Sequence, residues 1–260
     1  MSRMFTIRQG VFVLATAALL SGAGAAHAEG WVFSIIPYAW ATDVGVDVTV
    51  NDTKIVDKDI PVSDLLKDLN FIFQGRLEAQ KGEFGATTDV FDVDLSDDKY
   101  GVLLPQGAGT ADFSSDMGMT IIDVEGFYDR GGDRQGLVLL AGARILDERS
   151  TIDATVHPAM GASFTKTYET DDWIVDALIG ARFGHRFTRH WGVQMQADAS
   201  TGQTDYTFSL SPTVGYAFGT KSRFGVNAGY RYMKVDFEDT GNVNPQMSLS
   251  GAVVGFRLSF

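Results

Sequence analysis

A hydroxyl held within reach of an imidazole is the least that nucleophilic hydrolysis requires, and in this chain the pairing on offer is His157 with Ser163. His157 precedes Pro158 in what reads as a loop, the ordinary setting of a solvated histidine, while His185 and His190 fall beside a different turn. No G-x-S-x-G, H-E-x-x-H or phosphate-binding loop occurs. With no cysteine there is no thiolate nucleophile, disulfide or cysteine metal site. The chain is read as non-enzymatic, without cofactor or metal. The alternative is a hydrolase acting on lipid or peptide, which an outward-facing Ser–His–acid cluster near a lipid boundary would favour.

Charge and the first residues bound the rest. Arg3 and Arg8 precede an apolar, small-residue run over 11–20 that leads to Ala26-His27-Ala28. This is the pattern of a secretory signal peptide over 1–28, with cleavage after Ala28 and a mature domain over 29–260. The run is too short to cross a bilayer as a helix. Removing it moves the formal charge from −12 to −14, with 19 basic against 33 acidic residues. A chain so acidic repels phosphate backbones, so nucleic acid is excluded as a partner.

The elements that must position any chemistry are strands. Period-two alternation is clearest at the end of the chain, where Ala252, Val254, Phe256, Leu258 and Phe260 oppose Gly251, Val253, Gly255, Arg257 and Ser259. The same pattern predicts strands over 31–40, 71–80, 84–91, 120–128, 137–146, 173–187, 191–197, 208–218 and 224–232, ten in all. Connections alternate in length. Short turns fall at 81–83, 129–135, 188–190 and 219–223, and longer acidic loops at 43–68, 92–116, 147–172 and 238–246; 200–205 is short where a long one is due. Aromatics collect near the short turns (Trp31, Phe84, Tyr128, Phe187, Trp191, Phe218, Phe224, Phe260), with a second group, Trp40, Phe71, Trp173, Phe208 and Tyr232, toward the long loops.

Short turns at one end, long loops at the other and two aromatic girdles predict an all-β fold. It is a transmembrane antiparallel up-and-down β-barrel of about ten strands, with eight or twelve as neighbouring counts. Gly255-Phe256-Arg257-Leu258-Ser259-Phe260 resembles the C-terminal signature of Gram-negative outer-membrane barrels, and Trp31…Pro37-Tyr38-Ala39-Trp40 resembles the opening strand of a poorly characterised group of small proteobacterial barrels. The resemblance implies residence in the cell outer membrane, contact with its lipid and lipopolysaccharide, and engagement of the barrel-assembly machinery through the Phe260 strand. It brings no functional residues and leaves the oligomeric state open.

If the greasy faces meet lipid, the opposite faces place Arg76, Glu78, Asp89, Asp123, Glu125, Arg144, Asp176, Arg182, Asp198, Arg231 and Arg257 in the lumen. A mixed-sign lumen of this width reads either as an ion-pair lattice that fills it or as the lining of a narrow pore for small solutes. The function expected is that of a narrow pore or of a structural, surface-interacting barrel. Two features of the predicted outer loops complete the reading. Their aspartates (Asp43, Asp47, Asp52, Asp57, Asp59, Asp64, Asp68; then Asp92, Asp94, Asp97, Asp98) are solvated, or bridge divalent cations to lipopolysaccharide phosphates. Ser63 is placed to cap a short helix carrying Leu65, Leu66 and Leu69, as a lid or as loop packing.

Overall fold

The computed structural model describes residues 30–50, 53–103, 109–158, 161–218, 223–238 and 243–260. The predicted signal segment lies outside them. In chain order the elements are β1 (Trp31–Val50), β2 (Thr53–Ile60), a single helical turn α1 (Val62–Leu65), β3 (Leu69–Lys81), β4 (Phe84–Leu103), β5 (Gly109–Asp129), β6 (Gly136–Pro158), β7 (Phe164–Arg186), β8 (Trp191–Thr201), β9 (Thr204–Phe218), β10 (Phe224–Phe237) and β11 (Val243–Ser259).

Each strand from β3 to β11 pairs antiparallel with the next, and β11 returns to β1 from Ser34↔Ser259 to Val50↔Val243. The result is a closed up-and-down barrel of ten strands, with β2 as an accessory. β1 serves two neighbours on its other edge. Trp31–Pro37 pair with β3, and Val44–Val50 pair with β2. Where β1 leaves β3, the side chain of Gln74 takes over the ladder, accepting from the Trp40 backbone N–H and donating to the Trp40 carbonyl at 3.3 Å.

Alternation sorts the side chains as a lipid-immersed barrel requires. Ile179 (70% exposed), Leu139, Phe183, Val254 and Phe256 point outward, while Leu178, Arg182, Val253 and Gly255 point in. Outward aromatics ring the short-turn end, with Phe84 packed on Tyr128 and Trp191 on Tyr216. Toward the other end Phe71, Phe73, Trp173 and Phe208 are exposed. Trp40 is a correction: it faces inward, 2% exposed, packed edge-on against Phe91. It shares the parity of Ser34 and Ile36, both buried, and so sits on the opposite face from Trp31.

The acidic segments 92–116 and 147–172, expected as loops, are mostly strand. β4 to β7 run 20, 21, 23 and 23 residues, about twice the 9–11 that span a bilayer. Their outer halves form a four-stranded β-wing roughly 30–35 Å long measured along the strands. Both faces of this wing meet water, which erases the hydrophobic alternation while leaving Thr, Val, Ile and Tyr to favour extended backbone. On the opposite side the rim is low. β8 has only 11 residues and turns into β9 at Gly202 and Gln203, as the short 200–205 link requires. The helical turn also differs from expectation, since Pro61 occupies the cap position, Ser63 lies within the turn, and it is Asp43 Oδ1 that accepts from Val62 N–H at 2.7 Å.

The membrane position gives a direct expectation. Ile179→Arg, at the centre of the apolar band, should destabilise the barrel by about 2–4 kcal/mol, whereas Phe164→Arg on the wing should change urea unfolding in lipid vesicles by less than about 0.5 kcal/mol. Equal effects would move the wing into the bilayer.

Candidate functional site

Arginines and carboxylates from strands far apart in sequence meet inside the barrel. Arg144, with no exposed surface, donates from Nε and Nη2 to the two oxygens of Asp123 at 2.7 and 2.8 Å, from Nη2 also to Asp198 at 2.8 Å, and from Nη1 to Thr207 Oγ1 at 2.7 Å. One guanidinium thus ties β5, β6, β8 and β9 together. Nearer the short turns, Arg76 pairs with Asp89 at 2.7 Å, and the Tyr38 hydroxyl donates to the same carboxylate at 2.6 Å. Arg231 lies 3.7 Å from Asp89 and 3.9 Å from Asp123, with its guanidinium 4.8 Å from the centroid of a Trp40 ring. Arg182 reaches across from β7 to Glu78 on β3 at 3.0 Å and donates to Gln196.

The remaining predicted lumen residues have other surroundings. Asp176 has an oxygen 3.0 Å or less from Gln203 N, Thr204 N, Thr204 Oγ1 and Ser200 Oγ, so it pins the low β8–β9 turn rather than pairing with an arginine. Glu125 is 2% exposed, and its Oε1 has no hydrogen-bond partner among the described residues. Arg257 lines a cavity, and no carboxylate among the described residues lies within ion-pair distance of it.

Sequence reading missed Arg134. It sits in the 129–135 turn with φ of 60°, yet its Nη1 lies 2.8 Å from Glu78. Asp129 makes this possible by accepting from the Arg134 N–H at 2.7 Å and from Gln80. Also missed was an apolar layer on the loop side of the charges: Trp40, Phe91, Ile121, Leu146, Met233, Val235, Met247, Leu249 and Val253 form one buried cluster within the barrel. The inward parity of Met233, Val235 and Leu249 was readable; their mutual packing across the lumen was not.

A second arrangement occupies the tip of the wing. His157 Nδ1 is 2.8 Å from Ser163 Oγ, and His157 Nε2 is 3.0 Å from Asp112 Oδ2. Cross-strand register brings this about, since Thr110↔His157 places Asp112 diagonally opposite on the same face. An aspartate on one ring nitrogen leaves the other free to accept the serine proton, although the ring is reversed relative to chymotrypsin-type triads, where Nε2 faces serine. The group is open to water, with 42% of the histidine and 33% of the aspartate side chain exposed. It stands at the far end of the wing rather than at the lipid boundary. Among the described residues no three His, Asp or Glu side chains gather closely enough to hold a metal ion. In the first hairpin, Asp47 and Asp57 instead pair with Lys54 at 2.7 and 2.9 Å, which holds the Asp57 carboxyl below its usual value.

This is an outer-membrane-type β-barrel. No protein-family model matches the chain, and no curated protein matches it in sequence. Among solved structures it is similar to the outer-membrane protease OmpT of Escherichia coli (9% identity, 90% of this chain and 98% of that one, TM-score 0.46). It is also similar to the toluene transporter TodX of Pseudomonas putida (12%, 88% and 89%, 0.36) and to the attachment invasion locus protein Ail of Yersinia pestis (13%, 88% and 99%, 0.28). At this distance the superpositions match barrel to barrel and carry no argument about function.

Arg144 gives the sharpest test of the interior. Arg144→Ala leaves Asp123 and Asp198 buried without their cation and should cost about 3–5 kcal/mol of unfolding free energy. Arg182→Ala and Arg231→Ala should likewise lower stability. Unchanged stability with altered ion conductance would make these residues a pore lining instead of a lattice.

Proposed function

We propose that this chain is a closed outer-membrane barrel whose membrane section anchors an extracellular β-wing, and that its work is surface interaction rather than solute passage. The observation that carries the reading is a lumen blocked in its outer half. The Arg144–Asp123–Asp198 and Arg182–Glu78 pairs cross the interior, and the apolar layer around Trp40 and Leu249 lies between them and the outside. A permeant ion would have to leave water to cross the apolar layer, and no continuous ring of uncompensated charge repays that loss. Residues 1–28 deliver the chain across the inner membrane, the Phe260 strand engages the assembly machinery, and the wing extends beyond the bilayer toward partners outside.

A second reading rests on the Ser163–His157–Asp112 contact: hydrolysis of an ester at the wing tip, with Ser163 as nucleophile and His157 as base. Its height above the bilayer selects a water-borne substrate over a membrane lipid.

One preparation tests both. The mature protein, refolded and verified by its heat-sensitive gel shift, should give no stable conductance steps in a planar bilayer; regular steps would refute closure. Stoichiometric labelling of the wild type by a fluorophosphonate, lost in Ser163→Ala, would establish the hydrolase, and absence of labelling would retire it.

A further inference from the structure

Below the apolar layer the barrel is not full. A cavity of about 250 Å³ runs from Tyr38, Asp89 and Val253 at mid-barrel down to Arg134, His190 and Phe224 beside the short turns. Those turns and both termini of the described chain mark the periplasmic end, so the cavity is a vestibule open to the periplasm and closed above.

Its charge is opposite to that of the chain. Five arginines line it (Arg76, Arg134, Arg186, Arg231, Arg257) against two aspartates, in a protein of net charge −12. Of the two, Asp89 is already engaged by Arg76 and the Tyr38 hydroxyl. Glu78, inward on β3, is within pairing distance of Arg182 and Arg134. Arg257 has no ion pair among the described residues, and Arg134 Nη2 is buried with no hydrogen-bond partner. Buried guanidinium donors are normally satisfied, and among the residues that line the cavity cationic groups outnumber carboxylates; Glu78 Oε2 and Glu125 Oε1, without a hydrogen-bond partner among the described residues, belong to side chains outside that lining.

We propose that the vestibule binds a small oxyanion, a phosphate group above all, between Arg257 and Arg134, with Gln194, Thr213 and Asn227 supplying neutral polar contacts. Guanidinium forks match the paired oxygens of phosphate. The source is a free anion in the periplasm, because the closed wall of strands keeps lipid headgroups out of the lumen, and the apolar layer prevents the anion from passing on. The site is independent of what the wing does.

The test is titration of inorganic phosphate into the refolded barrel in neutral detergent at low ionic strength, followed by calorimetry and by ³¹P line broadening. The expected result is saturable binding of one phosphate per barrel, weakened at least tenfold in Arg257→Gln and in Arg134→Gln, largely kept in Arg257→Lys, and unchanged in Lys54→Gln on the outer hairpin. Each variant is accepted only if it shows the heat-sensitive gel shift, and Arg134→Gln, in a turn, serves if Arg257→Gln does not fold. Absence of saturable binding to the wild type, wild-type affinity in both Gln variants, or displacement by chloride at equal concentration would overturn the proposal. Equal binding of phosphatidic acid in mixed micelles would transfer the site to a lipid headgroup and overturn the assignment to a free anion.

Discussion

A backbone placed in hydrocarbon has no water to bond to, so every N–H and C=O must find a partner within the protein. The seam between β1 and β11 meets that demand: it turns an open sheet with two bare edges into a cylinder with none, and the rest of the structure depends on it. β1 is stretched by the task. It follows β11 from Ser34 to Val50 while serving β3 below and β2 above, and the Gln74 amide fills the gap at Trp40 where one neighbour gives way to the other. The wing follows from the same closure. Once the cylinder is fixed, β4 to β7 can run on beyond the bilayer as a sheet in water, whereas β8 and β9 stop early and leave the outer part of β7 without a partner on that side.

Closure also dictates the interior. Ten strands enclose a lumen narrow enough for side chains to bridge, and strand alternation sends every second residue into it. The chain meets this with two chemistries in layers. Toward the outside an apolar cluster closes on itself; beneath it, Arg76, Arg144 and Arg182 each take two or three acceptors. Arg144 shows why the charges are tolerable at all. Its donors go to two carboxylates and a hydroxyl from three different strands, so no member is buried without a counterpart. Toward the periplasm the cavity is lined by five arginines against two aspartates.

Much of this was legible in the sequence because alternation is a local signal. The lipid face of β11 could be read from Ala252 to Phe260, the short turns from Gly and Asp clusters, and the shared end of the two termini from the even strand count. Three things were not. The wing escaped because a sheet wet on both faces has no hydrophobic period, so Asp92, Asp94 and Asp147 read as loop. Trp40 was assigned by type instead of parity, although its odd separation from Trp31 places the two on opposite faces. The contacts of Arg134 and of Asp112 with His157 are set by strand register and turn geometry, which fix partners that spacing along the chain cannot.

The central claim is that the lumen is sealed in its outer half and open to the periplasm below. A chain without cysteine allows this to be measured without background. Met233→Cys places a thiol in the apolar layer and Thr213→Cys places one in the vestibule, and each refolded variant is exposed to a small charged methanethiosulfonate. The account predicts rapid modification of the thiol at 213 and protection of the one at 233 until the barrel is unfolded. Equal rates at both positions would mean that water runs through the barrel, and would contradict it.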